Sequence, residues 1–232
     1  MSHPQDRLGF SRMSVWPSKL TPFRWLFTPR GCAVFYVPLQ NQHLIRTSIP
    51  TSHGYESPIR GKSRFVSLFE FVATIDYTPY LCVRDALKFR QQICGGEDLI
   101  RSYCTALAFQ GGQRVADILG TFTIDSREYG LSDCCFTNVL LPLKFPSTAT
   151  LEEPDFTREE ADAVQKWLNA TALKEFDTYL QIGLHGGAMW VRLSAQIYLE
   201  VDDFEWVGWR LKNLCKRARA GEVFPPSASR MS

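Results

Sequence analysis

Arg192 lies in the run Trp190-Val191-Arg192-Leu193-Ser194-Ala195-Gln196-Ile197-Tyr198, where apolar and polar residues alternate. Met189, Val191, Leu193, Ala195, Ile197 and Leu199 form one wholly apolar face, and Trp190, Arg192, Ser194, Gln196 and Tyr198 form a mixed one, the period of a strand. A guanidinium on such a face needs a paired anion or water. Its rigid fork suits a bidentate carboxylate, supplied by a ligand or by a neighbouring acid. His53, in Thr51-Ser52-His53-Gly54, lies in a loop and could face a site or the surface. The four histidines (3, 43, 53 and 185) show no metal-ligand spacing with one another or with the cysteines, so no metal is expected.

Composition narrows the possibilities further. A 232-residue chain with 45% hydrophobic and 22% charged residues suits one sizeable core or two small domains. A formal charge of +2 gives no concentrated basic face, so nucleic acid is not an expected partner. No apolar run approaches the roughly 20 residues that span a bilayer. Seven cysteines without a CxxC pair read as reduced, mostly buried thiols of a cytoplasmic protein. Adjacent Cys134 and Cys135 are expected on opposite faces of a strand.

The elements that position Arg192 follow from periodicity and punctuation. Cys32–Val37 reads as a strand stopped by Pro38, 46–64 as an irregular loop, and Phe65–Ala73 as a short extended segment or turn. Asp76-Tyr77-Thr78-Pro79-Tyr80 launches a helix over 82–93, which Gly95 and Gly96 break. A longer helix is expected over 97–119, with Ile100, Tyr103, Leu107, Val115, Ile118 and Leu119 on its apolar stripe and Gly111–Gly112 as a kink or hinge. Phe136–Leu143 reads as a strand and 144–156 as a loop. Thr157 and Glu160 form a capping box before a helix burying Val164, Trp167, Leu168, Thr171 and Phe176. His185-Gly186-Gly187 supplies the turn before the Arg192 strand, and Gly31 a tight turn beside Arg30, a possible anion contact. Asp202–Asp203 favours the start of a last helix, and Lys212, Lys216, Arg217 and Arg219 suit its end. Residues 223–232 form a Pro/Ser-rich tail.

The stretch Phe23-Arg24-Trp25-Leu26-Phe27-Thr28-Pro29-Arg30-Gly31-Cys32 resembles the region that follows the cofactor lysine in class V aminotransferases. These are fold-type I pyridoxal phosphate (PLP) enzymes, and the fungal proteins resembling hercynylcysteine sulfoxide lyase and isopenicillin N epimerase are the subgroup it is most similar to. The family reads His-Lys-Trp-Leu, and its lysine holds PLP as a Schiff base. Phe23 and Arg24 stand at the first two positions here. Arginine is a poor substitute, being always protonated and weakly nucleophilic. Lys19 lies upstream of the matching run.

Phe71-Val72-Ala73-Thr74-Ile75-Asp76 resembles the family's Gly-Thr-x-Asp element, whose threonine reaches a cofactor phosphate oxygen across a subunit interface; Thr74 matches it and Ala73 replaces the glycine. Thr74 as an ordinary turn residue is the other reading. The Arg192 run is similar to an Arg-x-Ser-x-x-x-Tyr strand whose arginine binds the substrate α-carboxylate, with Leu199 after Tyr198 where asparagine is common.

The resemblance implies an α/β chain, the C-terminal part of a PLP-dependent transferase-like fold. Residues 1–22 would be an unmatched leader with no signal-peptide h-region. Residues 23–96 would be a remnant of the large cofactor domain, and 97–222 the connecting helix and small α+β domain. A truncated product, an alternative transcript or an exon-boundary error would explain the abrupt start of the match. The function implied is a fragment or degenerate member of a lyase or aminotransferase family acting on amino acids, the parent a cysteine-sulfoxide C–S lyase. No residue is assigned a catalytic role; Thr74 is the cofactor contact, and Arg192 and His53 the substrate contacts. The alternative is a non-catalytic module forming a homodimer or pairing with a full-length relative.

Overall fold

A computed structural model describes residues 25–45, 61–70, 76–124, 133–146 and 153–224, with the backbone of 18–20. The chain divides into two compact units, Met1–Cys94 and Gly95–Ser232. Arg24, His53 and Thr74, and the tail from residue 225, lie outside the described residues.

In the first unit, β1 (Ser18–Leu20) pairs antiparallel with β2 (Val34–Tyr36), Lys19 opposite Phe35. Strand β2 is the centre of the expected Cys32–Val37 run, and Cys32 and Val37 at its ends are buried. A 3-10 turn covers Leu39–Leu44. The expectation for Phe65–Ala73 fails over its described part: Arg64–Glu70 is a helix, α1. Its first turn is capped by Ser63, whose hydroxyl accepts the Val66 N–H at 3.1 Å, and the tilted rings of Phe65 and Phe69 meet one turn apart, centroids 4.9 Å apart.

The Asp76–Tyr80 turn is present. Asp76 accepts the Thr78 N–H at 2.9 Å; the Thr78 hydroxyl, and then this N–H, hold its carboxyl below the usual value, and the short helix α2 (Thr78–Leu81) leads into α3 (Val83–Gln92). Arg90 of α3 is 6% exposed, donates to the Trp25 carbonyl and lies 4.7 Å from the Phe27 ring centroid.

The second unit is built on α4 (Glu97–Leu119), entered at Gly96 (φ 95°) and left at Gly120 (φ 71°). Both glycines occupy left-handed backbone that other residues resist. Strand β3 (Phe136–Leu140), helix α5 (Ala161–Phe176), strands β4 (Gln181–His185) and β5 (Ala188–Ser194), and helix α6 (Val201–Arg217) follow. The three strands form an antiparallel sheet in the order β3-β5-β4. Thr137, Val139, Ile182, Met189, Val191 and Leu193 face inward and are buried; α4 packs on β3 and α6, and α5 on β4 and α6.

Several expectations are corrected here. Helix α4 runs unbroken through Gly111 and Gly112, which are places of close packing rather than a kink or hinge. A Cβ on Gly111 would strike the ring of Phe204, and one on Gly112 would sit 2.5 Å from Thr137 Oγ1. Tyr103 is 41% exposed, its hydroxyl donating to the Leu199 carbonyl at 2.6 Å. On α5, Trp167, Thr171 and Phe176 are half-buried while Ala161 and Ala172 join Val164 and Leu168 in the core. The Thr157–Glu160 capping box is formed, with bonds of 2.8 and 3.3 Å.

Strand β5 ends at Ser194, short of Leu199, because the chain turns there with the Leu199 N–H donating to Gln196 O. Cys134 and Cys135 lie in a bend ahead of β3 instead of alternating across a strand. All seven cysteines are free, but only Cys32, Cys104 and Cys215 are buried. At the end of α6, Arg217 forks onto Glu175 (2.7 and 2.9 Å) and also reaches Glu222, and Lys212 caps the Ile118 carbonyl at 2.7 Å. Lys212 thus caps α4 rather than its own helix, and Arg217 pairs with acidic side chains of α5 and of the turn after α6.

Candidate functional site

The outer face of the three-stranded sheet brings together residues that no sequence window contains. Because β5 is central, its outward residues each have a neighbour on both sides. Arg192 stands opposite Asn138 of β3 and Gln181 of β4, and Trp190 opposite Leu140 and Gly183. The chain after α4 adds a short fourth edge: Leu140 N–H donates to Phe122 O, and Ile124 N–H to Asn138 O, both at 3.0 Å. Phe122 and Ile124 therefore extend the same two rows, those of Trp190 and Arg192 respectively.

The turn before β5 is as expected. Gly186 and Gly187 adopt φ of 59° and 77°, the pattern of a two-residue hairpin turn with both central residues left-handed. His185 is exposed and gives its carbonyl to Trp190 Nε1 at 3.1 Å, which pins the indole. Phe122 meets that indole edge-on, ring centroids 5.8 Å apart. On the other side of Arg192, its guanidinium carbon lies 5.7 Å from the Phe136 ring centroid. Arg192 is exposed and makes no ion pair among the described residues. The salt bridge to a neighbouring acid is thus absent there, and the guanidinium remains available to an anion.

The site consists of one cation with amide neighbours, edged by aromatic rings. It can bind a carboxylate and orient it; among the described residues no general base stands next to Arg192. Sequence reasoning found Arg192 but missed Asn138, Gln181 and Phe122, whose proximity depends on strand pairing. Of the other candidates, Lys19 has only its backbone described, on β1, and Arg30 is exposed beside Gly31 (φ 92°). Two surface clefts hold none of these residues. One, of about 570 Å³, is lined by Arg101, Ser102, Thr105 and Asp133 among others; the other, of about 610 Å³, by Tyr80, Arg84, Leu87 and Lys88.

No protein-family model matches the chain. It is 39% identical over 220 residues to the L-cysteine desulfhydrase-like protein lolT1 of Epichloe uncinata, covering 83% of this chain and 48% of that one. It is 31% identical over 204 residues to the hercynylcysteine sulfoxide lyase of Schizosaccharomyces pombe, covering 83% and 44%. The chain belongs to a fold-type I PLP enzyme family. Within it, the chain is related to these fungal cysteine desulfhydrase-like and sulfoxide lyase proteins, and spans about half the length of the curated relatives it matches. Among solved structures, Oryza sativa TDC with PLP and tryptamine overlaps 88% of this chain and 36% of its own, at 15% identity and a TM-score of 0.45.

A fold-type I PLP enzyme holds its cofactor through a lysine whose amine must be nucleophilic, which burial favours by disfavouring the charged form. Every lysine side chain among the described residues is exposed. Among the described residues there is also no group of three or more His, Cys, Asp or Glu placed to hold a metal. No described helix is long and apolar enough to cross a membrane.

Proposed function

We propose that this chain is a degenerate member of its PLP-dependent family that retains substrate-carboxylate binding and does not hold PLP covalently. The observation that carries the reading is Arg192: a guanidinium on an exposed sheet face, unpaired among the described residues and set in the Arg-x-Ser-x-x-x-Tyr run. The ligand class is an amino acid with a free α-carboxylate. For the parent enzyme the reading is C–S bond cleavage in a cysteine-derived sulfoxide, supported by the names of the fungal relatives; transamination is the neighbouring alternative. Thr74 as a phosphate contact and His53 as a substrate contact belong to the same proposal. Arg24 takes the lysine position and supplies no amine for attachment.

When bound, PLP acts as an electron sink for the substrate α-carbon. This chain's residues would do something simpler. Arg192 fixes the carboxylate through two parallel N–H donations, and the pinned Trp190 keeps the neighbouring position dry and rigid.

Borohydride reduction of the chain mixed with PLP, followed by peptide mass mapping, tests the reading. The expected result is scattered surface-lysine labelling with no stoichiometric adduct. A single adduct at Lys19 would overturn it and identify an enzyme whose attachment lysine has moved.

Pairing with a full-length relative is a second reading, favoured by the exposed Phe122 and Ile124 on the sheet face and by the half-length match. Co-purification from cells expressing both chains tests it. A cytoplasmic setting is supported by the seven free cysteines, which suit a reducing compartment.

A further inference from the structure

Three thiols gather where α4 meets the start of β3. Cys104, Ala108 and Gly112 recur at four-residue spacing on the buried stripe of α4, and Gly112 stands against Thr137 of β3. Two residues before Thr137 is Cys135, in the bend that leads into the strand. The Thr105 hydroxyl and the Cys104 thiol both lie within hydrogen-bonding range of the Cys135 sulfur, and the charge of Arg101 acts on it. Cys104 is 2% exposed and Cys135 half-buried, so solvent reaches one sulfur of the pair and not the other. The Cys135 carbonyl accepts the Ala195 N–H at 2.8 Å, which fixes the bend to the chain just after β5. Cys134 is differently placed: its sulfur donates to the Phe136 carbonyl at 3.1 Å. A bond between Cys134 and Cys135 would also have to close through a single planar peptide unit. Among the described residues no three ligands converge to hold a metal, so the chemistry open to the pair is that of one thiol with another.

We propose that Cys104 and Cys135 form an oxidation site, at which a hydroperoxide joins α4 to the start of β3 through a disulfide. The proposal is independent of the carboxylate role of Arg192. In the first step the Cys135 thiolate attacks a peroxide oxygen. The O–O bond breaks, the sulfur becomes a sulfenic acid, and the other oxygen leaves with the thiol proton as an alcohol, or as water from hydrogen peroxide. In the second step the Cys104 sulfur attacks the sulfenyl sulfur. The S–S bond forms, the S–O bond breaks, and hydroxide leaves with the Cys104 proton as water. The two thiols give up two electrons and the peroxide takes them.

Burial pushes the Cys135 thiol above its ordinary value, opposed by the Thr105 hydroxyl, the Cys104 thiol and Arg101, so the first step is slower than at an acidic thiol. The second is favoured by placement, because Cys104 already stands against its target. A sulfenic acid met at once by a thiol goes to the disulfide rather than on to the irreversible sulfinic acid.

The test exposes the whole chain to hydrogen peroxide, blocks the remaining thiols with iodoacetamide in urea, and maps the peptides without reduction. The expected product is one cross-linked pair containing Cys104 and Cys135, with both thiols recovered by dithiothreitol. Cys134→Ala should leave that product in place, and Cys135→Ala and Cys104→Ala should abolish it. Oxidation should also raise the thermal transition by on the order of 5 °C, because the bond closes a loop in the unfolded chain. A cross-link through Cys134, sulfinic acid at Cys135 with Cys104 still alkylated, or no loss of thiols would each overturn the proposal. So would the same pair forming as readily in urea, where the fold cannot select it, or a thermal transition that falls on oxidation. The mapping is made on the unaltered chain, so it decides the matter even if Cys104→Ala fails to fold.

Discussion

Gly112 of α4 faces Thr137 of β3 so closely that a Cβ on the glycine would sit 2.5 Å from Thr137 Oγ1 and 2.7 Å from its Cγ2. Gly111 next to it does the same against the ring of Phe204, a residue of α6. The helix therefore meets the sheet and the last helix at consecutive positions, and neither neighbour is the free end of a flexible side chain. Alanine at either site would gain about 1 kcal/mol of helix propensity. Overpacking a close contact costs about 1–3 kcal/mol, so the clash is expected to win. Urea unfolding should show Gly111→Ala and Gly112→Ala less stable, by up to about 2 kcal/mol. A gain in stability for both would restore the hinge reading.

A pH dependence follows from Arg217 and Glu175. Their fork-to-fork bonds, with Arg217 also holding Glu222, keep the Glu175 carboxyl below its ordinary value of 4.5. A carboxyl whose folded value is depressed stabilises the fold above its unfolded value, and that gain is lost as pH falls through the folded one. The pair is partly exposed, so the effect is modest and screened by salt. Below about pH 4.5 the melting temperature should fall more steeply in the unaltered chain than in Glu175→Gln. Parallel curves for the two proteins would show that the bonds do not matter in solution.

Cys215 is fully buried in α6, and desolvation pushes its thiol from 9.0 up to about 12. A group whose folded value is raised gives up stability as pH rises between the unfolded and folded values, because only the unfolded chain can release the proton. Between about pH 9 and 12 the unfolding free energy should drop, and Cys215→Ala should show a shallower slope. At neutral pH, Cys215 should label with a thiol reagent only on unfolding, while half-exposed Cys82 and Cys94 react in the folded chain. Early labelling of Cys215 would contradict its burial.

What the sequence made legible is what local chemistry decides. Helix α4 was readable because a periodic apolar stripe follows the break at Gly95 and Gly96, and Arg192 because strand alternation puts it on the face opposite Val191 and Leu193. The role of Gly111 and Gly112 was not readable, since the atoms they approach lie on α6 and β3. Phe122, Asn138 and Gln181 were missed for the same reason: each reaches Arg192 or Trp190 through strand register, which pairs residues far apart in the chain. The α1 error is different. Ser63 and the Phe65–Phe69 spacing were visible local signals for a helix, and the Ser/Thr/Pro/Gly-rich surroundings outweighed them.

Arg24 gives the last expectation. Replacing it with lysine supplies the amine that resemblance to the His-Lys-Trp-Leu pattern calls for, but an amine is one part of a cofactor site. A phosphate clamp and a nucleophile kept uncharged are needed too, and every described lysine is exposed. The matched relatives are about twice as long as this chain. Arg24→Lys is therefore expected to give, after incubation with PLP and borohydride, no more label at position 24 than at surface lysines. It is also expected to release no sulfur product from a cysteine-derived sulfoxide. Stoichiometric labelling there without turnover would mean that the chain builds a cofactor pocket but not the remaining catalytic groups. Turnover at the level of a full-length relative would show that one residue separates this chain from an enzyme, and the reading of a degenerate, non-catalytic member would have to be abandoned.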